Sequence, residues 1–389
     1  MAGSRRVELP GLGRQAGRPG HPPKRGSRGM KMHNGLTPPA PTAAVQVVNL
    51  SELDPQWQWI GHRVADRFPG WRHVSSAAQP GQQRSGWANF VARAGAAVQA
   101  GQLVQAHAGP SVVVAHGPRP AQYFAQFGRR WGVPTHLMAF SFNFTVLPHG
   151  LRQRWLARAF QRVDSFIVAS TTEQALYAHH FGLDPARLHM LPWGVRPPVE
   201  ALAEAALEPG DYVCALGSQG RDYATLLDAM RRLPRLRLVL VATPDSLPAG
   251  PLPDNVVLRV NIPTAQAMNL LAHSRFMVLP MRDAEVPCGH VTVVSAMHLG
   301  RAVLATDTVG LHDYLRPEDN AVLVPPRDPV ALARQMERLW AEPATCRRLG
   351  QAGQRFARLH CTEDAVVALF QRRMQALGLW PAAPRKGGR

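Results

Sequence analysis

The sequence lacks the features that place a chain across a membrane or in an oxidising compartment. It has no run of about 18 consecutive apolar residues, which argues against a helix that spans a bilayer. The first residues, MAGSRRVELPGLGRQAG, contain no continuous apolar segment of the kind found in secretory signals. The four cysteines are scattered without a CxxC pair, a pattern typical of reduced thiols rather than of a disulfide framework or a zinc site. These absences predict a cytoplasmic protein.

Lysine is also scarce, although the formal net charge is +18, so the positive charge is carried almost entirely by arginine. Two interpretations of this charge are open. The arginines lie on solvated faces, or they attract anionic lipid headgroups or phosphorylated ligands. Residues 1–45 are rich in Gly, Pro and Arg without a hydrophobic period, which predicts a disordered basic tail. A nucleic-acid-binding arm is the alternative for this tail. It lacks the aromatic or helical patterning that such an arm needs, so we expect no nucleic-acid partner.

From residue 46 onward, short continuous apolar runs alternate with longer amphipathic segments. A first series of such runs ends near residue 192, and a second begins near 211, after an Ala/Glu-rich connector. Continuous apolar strands that alternate with helices predict parallel sheets covered on both faces. The fold class is therefore α/β, with two Rossmann-like doubly wound domains and a ligand cleft at the carboxyl ends of the strands. We assign 46–196 to the first domain, 197–360 to the second, and 361–380 to a helix that packs back on the first.

The individual elements follow from the same pattern. Strands are predicted at 46–50, 111–116, 136–142, 165–170, 188–192, 211–217, 236–243, 255–260, 275–281, 301–306 and 321–326. Helices are predicted at 88–106, 150–162, 221–233, 264–273, 290–299, 328–341 and 360–374.

The stretch LGSQGRDYATLLDA, 216–229, is the first candidate for binding an anion. A strand ends, a loop with Gly217, Ser218 and Gly220 follows, and Arg221 and Asp222 open a helix. Small residues let the backbone approach an anion, the helix start favours negative charge, and the arginine adds a charged fork. A plain strand-to-helix turn is the alternative interpretation.

The stretch PCGHVTVVSAMHLG, 287–300, repeats this arrangement after the strand that ends near Met281. Its loop contains Asp283, Glu285 and Gly289. The free N–H groups of residues 289–292, at the start of the next helix, are expected to point into the cleft. The candidate ligand-binding residues here are Glu285, Gly289, His290, Val291, Thr292 and Ser295.

Five segments in this order resemble the retaining glycosyltransferases of family 4, which have the GT-B architecture of two Rossmann-like domains. The segments are HMLPWGV (189–195), LGSQGRDYATLLDA (216–229), PCGHVTVVSAMHLGRAVLATDTVGLHDYL (287–315), NAVLVPPRD (320–328) and HCTEDAVVALFQRRM (360–374). The resemblance covers residues 46–380. It implies transfer of a sugar from a nucleotide-sugar donor held by the second domain, onto an acceptor held by the first.

The resemblance also assigns roles residue by residue. Arg221 falls where the family has a basic side chain on the donor diphosphate, and Ser218 falls where a second basic residue is usual. The family's paired glutamates align with Pro287 and Ser295, so neither acid is present. A serine side chain is too short to replace the two hydrogen bonds that the family's glutamate makes to the ribose hydroxyls. Contact with those hydroxyls is then left to a bridging water or to backbone groups.

No Asp-x-Asp occurs, so the sequence does not support a divalent ion on the diphosphate, and we expect no cofactor. In the resembled family, side chains and helix dipoles supply the positive charge. Retaining transfer there is drawn as a same-face displacement in which the leaving phosphate takes the acceptor proton. No protein nucleophile is then required, and electrostatic stabilisation of the leaving diphosphate is the main catalytic contribution.

In the first domain, His116 ends one strand and Asn143 follows another, so both are placed to reach the cleft. Together with Arg221 they are our candidate catalytic residues. The family often has a histidine near the second position, but the segment 140–144 contains none, and a structural role is the alternative for His116. The usual glycine-rich first loop is replaced by NLSELDPQWQ, so acceptor recognition departs from the family pattern.

The helix LRQRWLARAFQR, 151–162, is basic and amphipathic. Members of the resembled family often act on lipid-linked acceptors at the cytoplasmic face of the membrane, and such a helix suits peripheral contact with anionic lipid. A packed helix with a solvated arginine face is the alternative.

The expected function is glycosyl transfer to a glycan or lipid-linked acceptor, in bacterial envelope or exopolysaccharide synthesis. A degenerate sugar-nucleotide-binding protein without turnover is the second hypothesis, motivated by the missing glutamates. An epimerase is the third, and it requires acid and base residues in the cleft that the sequence does not reveal.

Overall fold

A computed structural model describes residues 44–54, 57, 59–78, 83–129, 133–282 and 286–381. The predicted tail, 1–45, lies outside the described residues except for its last two positions. Asp283 and Glu285 lie outside them as well. Within the described ranges, no helix has both the length and the apolar character needed to cross a membrane.

The first sheet is formed by six parallel strands in the order β2-β1-β3-β4-β5-β6. They are β1 (Gln46–Ser51), β2 (Gly70–Ser75), β3 (Ser111–His116), β4 (Thr135–Phe140), β5 (Ser165–Val168) and β6 (Leu188–Met190). The chain leaves β1 in one direction to form β2 and returns past it to form β3. The strand order therefore reverses between β1 and β3, where a crevice opens at the carboxyl ends of the strands.

The second sheet is also parallel, with six strands in the order β9-β8-β7-β10-β11-β12. They are β7 (Val213–Leu216), β8 (Leu238–Ala242), β9 (Val256–Val260), β10 (Phe276–Leu279), β11 (Ala302–Thr306) and β12 (Ala321–Val324). This is the strand order of the Rossmann fold, with its switch point between β7 and β10. The prediction of two doubly wound parallel sheets is confirmed.

Helices connect the strands and cover both faces of each sheet. They are α1 (Gly61–Val64), α2 (Gly86–Ala106), α3 (Pro118–Tyr123), α4 (Gly150–Phe160), α5 (Thr171–Phe181), α6 (Glu200–Ala203), α7 (Tyr223–Arg231), α8 (Thr264–Ala272), α9 (His290–His298), α10 (Pro329–Ala341), α11 (Pro343–His360) and α12 (Glu363–Ala376). Side-chain caps begin several of them: Ser170 accepts from the N–H of Glu173 in α5, and Asp222 accepts from that of Thr225 in α7.

Each predicted strand is present, with ends that coincide or differ by at most two residues. The sequence patterns missed β2, α11 and the short helices α1, α3 and α6, and they gave no bounds for α5. Helix α12 begins at Glu363 rather than at 360. The segment that forms β2, GWRHVS, has no continuous apolar run because the strand lies at the sheet edge and is mostly accessible. Helix α11 was missed because it follows α10 with only Glu342 between them, and Pro343 in its first turn marks the break.

The last helix packs against the first sheet rather than the second. Apolar residues of α12 share one core cluster with Val47 and Val112 of the first sheet and with Phe68. They are Val366, Leu369, Phe370 and Met374. The chain therefore crosses from the second sheet back to the first.

Two neighbouring residues of the second sheet's connections hold the start of α5. Asp313 accepts from the backbone N–H of Thr171 at 2.7 Å and from its hydroxyl at 3.0 Å. The hydroxyl of Tyr314 donates to the carbonyl of Ala169 at 2.6 Å and accepts from the N–H of Trp193 at 2.8 Å. A carboxylate at a helix start and a buried bridging hydroxyl therefore join the loops of the two sheets.

The same helix start contains a buried carboxyl group. Glu173 is fully buried, accepts from the N–H of Ala169 at 2.7 Å and from the hydroxyl of Tyr177 at 3.3 Å. Burial raises the pKa of Glu173 from its ordinary value near 4.5 to about 7.

Because the folded state holds this proton more tightly than the unfolded state, stability decreases as the pH rises from about 4.5 to about 7. The shift corresponds to roughly 3 kcal/mol of folding free energy. We expect Glu173→Gln, a neutral isostere, to lose less stability than the wild type between pH 5 and pH 8. Urea denaturation at the two pH values measures this difference. Parallel losses in the two proteins would contradict the assignment.

Candidate functional site

The loop after β7 occupies the switch point of the second sheet. Gly217 and Gly220 both adopt positive φ, at +106° and +68°. A Cβ atom at Gly217 would lie 2.5 Å from the guanidinium of Arg221, and one at Gly220 would overlap the sulfur of Cys288. Glycine is therefore required at both positions, for conformation and for the close approach of Arg221. Ser218 is exposed between them.

Arg221 is buried, with 4% of its surface exposed, and its hydrogen-bond partners among the described residues are neutral. Its side chain donates to the carbonyls of Leu216 at 3.2 Å and Gln219 at 2.8 Å, and to the hydroxyl of Thr292 at 2.9 Å. No carboxylate among the described residues forms an ion pair with it. Burial lowers the pKa of Arg221, because desolvation disfavours the charged form. The guanidinium thus carries a buried positive charge without a described counter-charge, which an anion at the loop would neutralise.

The start of α9 lies against the same loop. Gly289, with φ +93°, precedes the helix, and Thr292 in its first turn holds Arg221. The first N–H groups of a helix have no partner within the helix, so this end favours an anion. The structure thus brings together the predicted residues Gly217, Gly220, Arg221, Gly289 and Thr292.

The other donor-binding candidates are placed differently. The ring of His290 is buried and its Nε2 donates to the carbonyl of Gly310 at 2.9 Å, so its described hydrogen bond is within the fold. Val291 is exposed, whereas Ser295 lies in the second turn of α9 with 6% of its surface exposed. Glu285 lies outside the described residues.

At the switch point of the first sheet, three polar side chains form a chain across β3, β1 and β2. The Nε2 of His116 lies 2.6 Å from the Oδ1 of Asn49, and the Nδ2 of Asn49 lies 2.7 Å from the Nδ1 of His73. Because an amide oxygen only accepts, His116 carries its proton on Nε2, and Nδ1 is left as an acceptor. Burial lowers the pKa of His116 to about 3, with a smaller effect of His73 in the same direction. His116 is thus neutral near pH 7 and suited to orient a hydroxyl group.

A cavity of about 900 Å³ opens beside this chain of polar groups. Its wall includes His116 and Asn143 from the first sheet, Trp57 and Trp59 from the loop after β1, and Trp193 from the segment that leaves β6. The edges of His116 meet the rings of Trp57 and Trp59, with centroids 4.7 and 4.9 Å apart. The structure therefore brings two of the three candidate catalytic residues into one cavity, while Arg221 lies in the other loop.

The three tryptophans, Asn49 and Cys288 were not among the sequence candidates. Asn49 had a signal, since it is the polar residue at the end of the apolar run VQVVN. No sequence pattern pointed to the tryptophans as a group. Residues 57 and 59 lie in a loop without periodicity, and Trp193 is 134 positions or more from either of them along the chain. Only folding brings these rings to one wall.

Two parallel sheets, each with polar side chains gathered at its switch point, define a two-domain, Rossmann-like α/β protein. A family model described as Glycosyltransferase Family 4 matches residues 61–197, on the first sheet. A model described as Glycosyl transferases group 1 matches residues 212–342, on the second. Together the two matches span more than half of the chain. The chain therefore belongs to the glycosyltransferases with the GT-B fold. The predicted family is thus confirmed.

Solved structures share the whole architecture. Sucrose-phosphate synthase from Thermosynechococcus elongatus superposes with a TM-score of 0.63 at 20% identity, over 85% of this chain and 99% of that one. HepE from Anabaena, solved in complex with UDP, superposes with a TM-score of 0.64 at 13% identity, over 85% and 100%. At such identities the likeness establishes the fold alone.

One relative matches over a short stretch. A Bacillus subtilis (strain 168) protein named as a glycosyltransferase, EpsD, is 34% identical over 67 residues. The match spans 17% of this chain and 18% of EpsD, less than a fifth of either protein.

The role of Asn49 can be tested without a substrate. We expect the wild-type His116 to be the Nε2–H tautomer at pH 7, and Asn49→Ala to populate both tautomers because the oxygen that selects one is removed. ¹⁵N chemical shifts of histidine-labelled protein report the tautomer, with His116→Gln to assign the signal. An unchanged Nε2–H signal in Asn49→Ala would contradict the role of the amide.

Proposed function

We propose that the protein transfers a sugar from a nucleotide-sugar donor to a hydroxyl group of a glycan or lipid-linked acceptor, with retention at the anomeric carbon and without a metal ion. The donor binds at the switch point of the second sheet and the acceptor in the cavity of the first. The cellular setting implied by the family resemblance is envelope or exopolysaccharide assembly at the cytoplasmic face of a bacterial membrane.

The buried guanidinium of Arg221 is the observation that carries this proposal. Its described partners are two carbonyls, a hydroxyl and the sulfur of Met281, none of which cancels its charge. A diphosphate at this position supplies the missing negative charge and accepts charge-assisted hydrogen bonds, which are roughly twice as strong as neutral ones. The nucleotide sugar is the donor that provides such a diphosphate in this class of enzyme.

The start of α9 supports the same placement. Its free N–H groups and the loop glycines form a polar cradle next to Arg221, and Thr292 keeps the guanidinium fixed at 2.9 Å. HepE from Anabaena has been solved with UDP and with UDP-glucose. A uridine diphosphate sugar is accordingly the first donor to test.

In the proposed reaction, the bond between the anomeric carbon and the diphosphate oxygen breaks while the acceptor oxygen bonds to the same face of that carbon. The acceptor proton passes to the leaving phosphate. Arg221 and the N–H groups of α9 stabilise the charge that develops on the diphosphate. Neutral His116, with Nδ1 unprotonated, orients the acceptor hydroxyl as a hydrogen-bond acceptor, and Asn143 assists from the end of β4.

A binding protein without turnover is the second candidate function. Pro287 and Ser295 stand where the family's glutamates are expected, and Ser295 is almost fully buried. A serine hydroxyl in the second turn of α9 does not provide the two oxygens that grip both ribose hydroxyls. Donor binding through the diphosphate alone, without transfer, fits this feature.

The two functions are separated by donor assays on the wild-type protein. UDP-, GDP- and ADP-sugars are screened by thermal shift, then by release of nucleotide with and without cell-extract acceptors. An enzyme is expected to bind one donor and to release its nucleotide faster with acceptor. Binding without release or transfer supports the binding protein, and the absence of binding by every donor contradicts both.

Arg221→Gln tests the placement of the diphosphate. We expect donor affinity to fall by about 2 kcal/mol, roughly 30-fold, because one buried charged donor is lost. Isothermal titration with the donor, or with UDP, measures the change. Arg232→Ala is the matched control, since Arg232 is exposed at the end of α7. Equal affinities for Arg221→Gln and wild type would place the diphosphate elsewhere.

Helix α4 supports peripheral contact with anionic lipid. Leu151 is 82% exposed and Trp155 is 50% exposed. Arg152, Arg154 and Arg158 are exposed on the same helix, and none forms an ion pair with a described residue. Apolar and cationic side chains on one exposed helix suit a headgroup boundary.

We expect the protein to float with phosphatidylglycerol vesicles, not with phosphatidylcholine vesicles, and to dissociate at high salt. Leu151→Gln combined with Trp155→Gln should weaken flotation, whereas Val330→Gln, an exposed apolar position on α10, should not. No enrichment on anionic vesicles would rule out this contact.

A further inference from the structure

We propose that the first-sheet cavity takes a neutral sugar ring as acceptor, stacked on Trp57 and Trp193, and that it excludes sugars bearing phosphate or carboxylate. The proposal rests on the proposed glycosyl transfer, because it names the chemical class of the acceptor. Three features of the cavity support it: the pairing of its charges, the arrangement of its aromatic rings and the placement of its free polar atoms.

The acidic groups on the cavity wall are already paired. Glu52 forms an ion pair with Arg93 and lies 3.8 Å from Arg119. Glu363 pairs with Arg63 at 3.1 Å and lies 3.5 Å from His62. These pairs leave the wall without net acidic charge.

The basic groups on the wall do not offer a counter-charge either. Arg196 pairs with Glu200 at 2.7 Å, and its side chain is 86% exposed, so it points its charge to solvent. His116 is neutral near pH 7 because its pKa is about 3. An anionic group buried against His116, Ser141 and Asn143 would lose hydration without gaining a cationic partner from these three side chains. Arg221, in the loop after β7, differs because no described residue forms an ion pair with it.

The three tryptophans on the cavity wall differ in their contacts with other aromatic rings. Trp59 packs on Phe140 at 4.8 Å and against Phe370 at 5.5 Å, so the protein holds it from behind. Trp193 stacks on no other aromatic ring among the described residues, and its backbone N–H is fixed by Tyr314. Trp57 meets His116 edge to face. Indole faces pack well against apolar C–H surfaces, which a pyranose ring presents on its two faces.

Polar atoms next to these rings match the edge of a sugar. The side chains of Ser141 and Asn143 have no hydrogen-bond partner among the described residues, and both line the cavity. Ser141 has φ +50°, a backbone conformation that is costly for serine and typical of functional sites. With His116 they offer donors and acceptors to ring hydroxyls. A lipid chain in the same space would leave these groups unpaired, so a sugar fits better.

The experiment measures transfer from the donor to matched acceptors and binding of the same acceptors. The acceptors are methyl glucoside, methyl galactoside, maltose and cellobiose against glucose 6-phosphate and glucuronic acid. We expect at least one neutral sugar to be used with a kcat/KM at least tenfold above that of every anionic sugar. Equal or better use of an anionic sugar would overturn the proposal.

Variants separate stacking from general damage. Trp57→Ala and Trp193→Ala should each raise the acceptor KM about tenfold and leave the donor dissociation constant unchanged, while Trp57→Phe and Trp193→Phe should recover most of the affinity. Trp87→Ala, an exposed position on α2, is the matched control and should change neither constant. An unchanged acceptor KM in both alanine variants would refute stacking.

Binding of neutral sugars to the cavity can be measured even when no transfer occurs. Neutral sugars should quench the tryptophan fluorescence of the wild-type chain, and the quenching should weaken in Trp57→Ala and Trp193→Ala. If donors fail to bind but neutral sugars quench in this way, the proposed function fails and the cavity assignment stands. If donors bind and turn over but no neutral sugar binds, the cavity assignment fails and the function stands.

Discussion

The hydroxyl of Tyr314 donates to the carbonyl of Ala169 at the end of the first sheet, and it accepts from the N–H of Trp193 in the segment that leaves that sheet. Tyr314 itself belongs to the second sheet's connections and is fully buried. Its neighbour Asp313 holds the start of α5. The ring of Tyr314 also contacts His290 at the start of α9, with centroids 4.9 Å apart. One side chain therefore connects the cavity wall to the start of α9, the helix that lies against the loop after β7.

The charged side chains on the two sides of this contact differ in whether a described residue neutralises them. Arg221 is buried with neutral described partners, whereas Glu52 and Glu363 on the cavity wall each have arginine partners. A buried charge without a partner is costly in the free protein, and the cost is relieved only when a ligand brings the opposite charge. The proposed donor side thus suits an anion, and the proposed acceptor side suits a neutral molecule. On this proposal, charge directs the two substrates to different sites.

Much of the fold could be predicted from local patterns. Continuous apolar runs predict strands such as 111–116 and 238–242 because both faces of a parallel sheet are buried. Loop glycines such as Gly217 are predicted because they stand between a strand and a capped helix. The edge strand β2 was missed because an exposed edge tolerates Arg and His. His290 was expected at the donor site, but its ring bonds to Gly310. The direction in which a side chain leaves a helix start depends on the neighbouring loop, which no local pattern contains.

Local sequence patterns predicted the two parallel sheets, eleven of their twelve strands and the loop in which a glycine-flanked arginine meets a helix start. These depend on residues within about a dozen positions of one another, so short-range periodicity and capping carry them. The tertiary structure alone decided that Arg221 has no described acidic partner, that Asn49 selects the tautomer of His116, and that Trp57 and Trp193 share one wall. These features join residues 67 to 136 positions apart. Such contacts form only when distant strands and loops pack together, because ion pairs, tautomers and cavity walls depend on the surroundings of a segment and not on the segment alone.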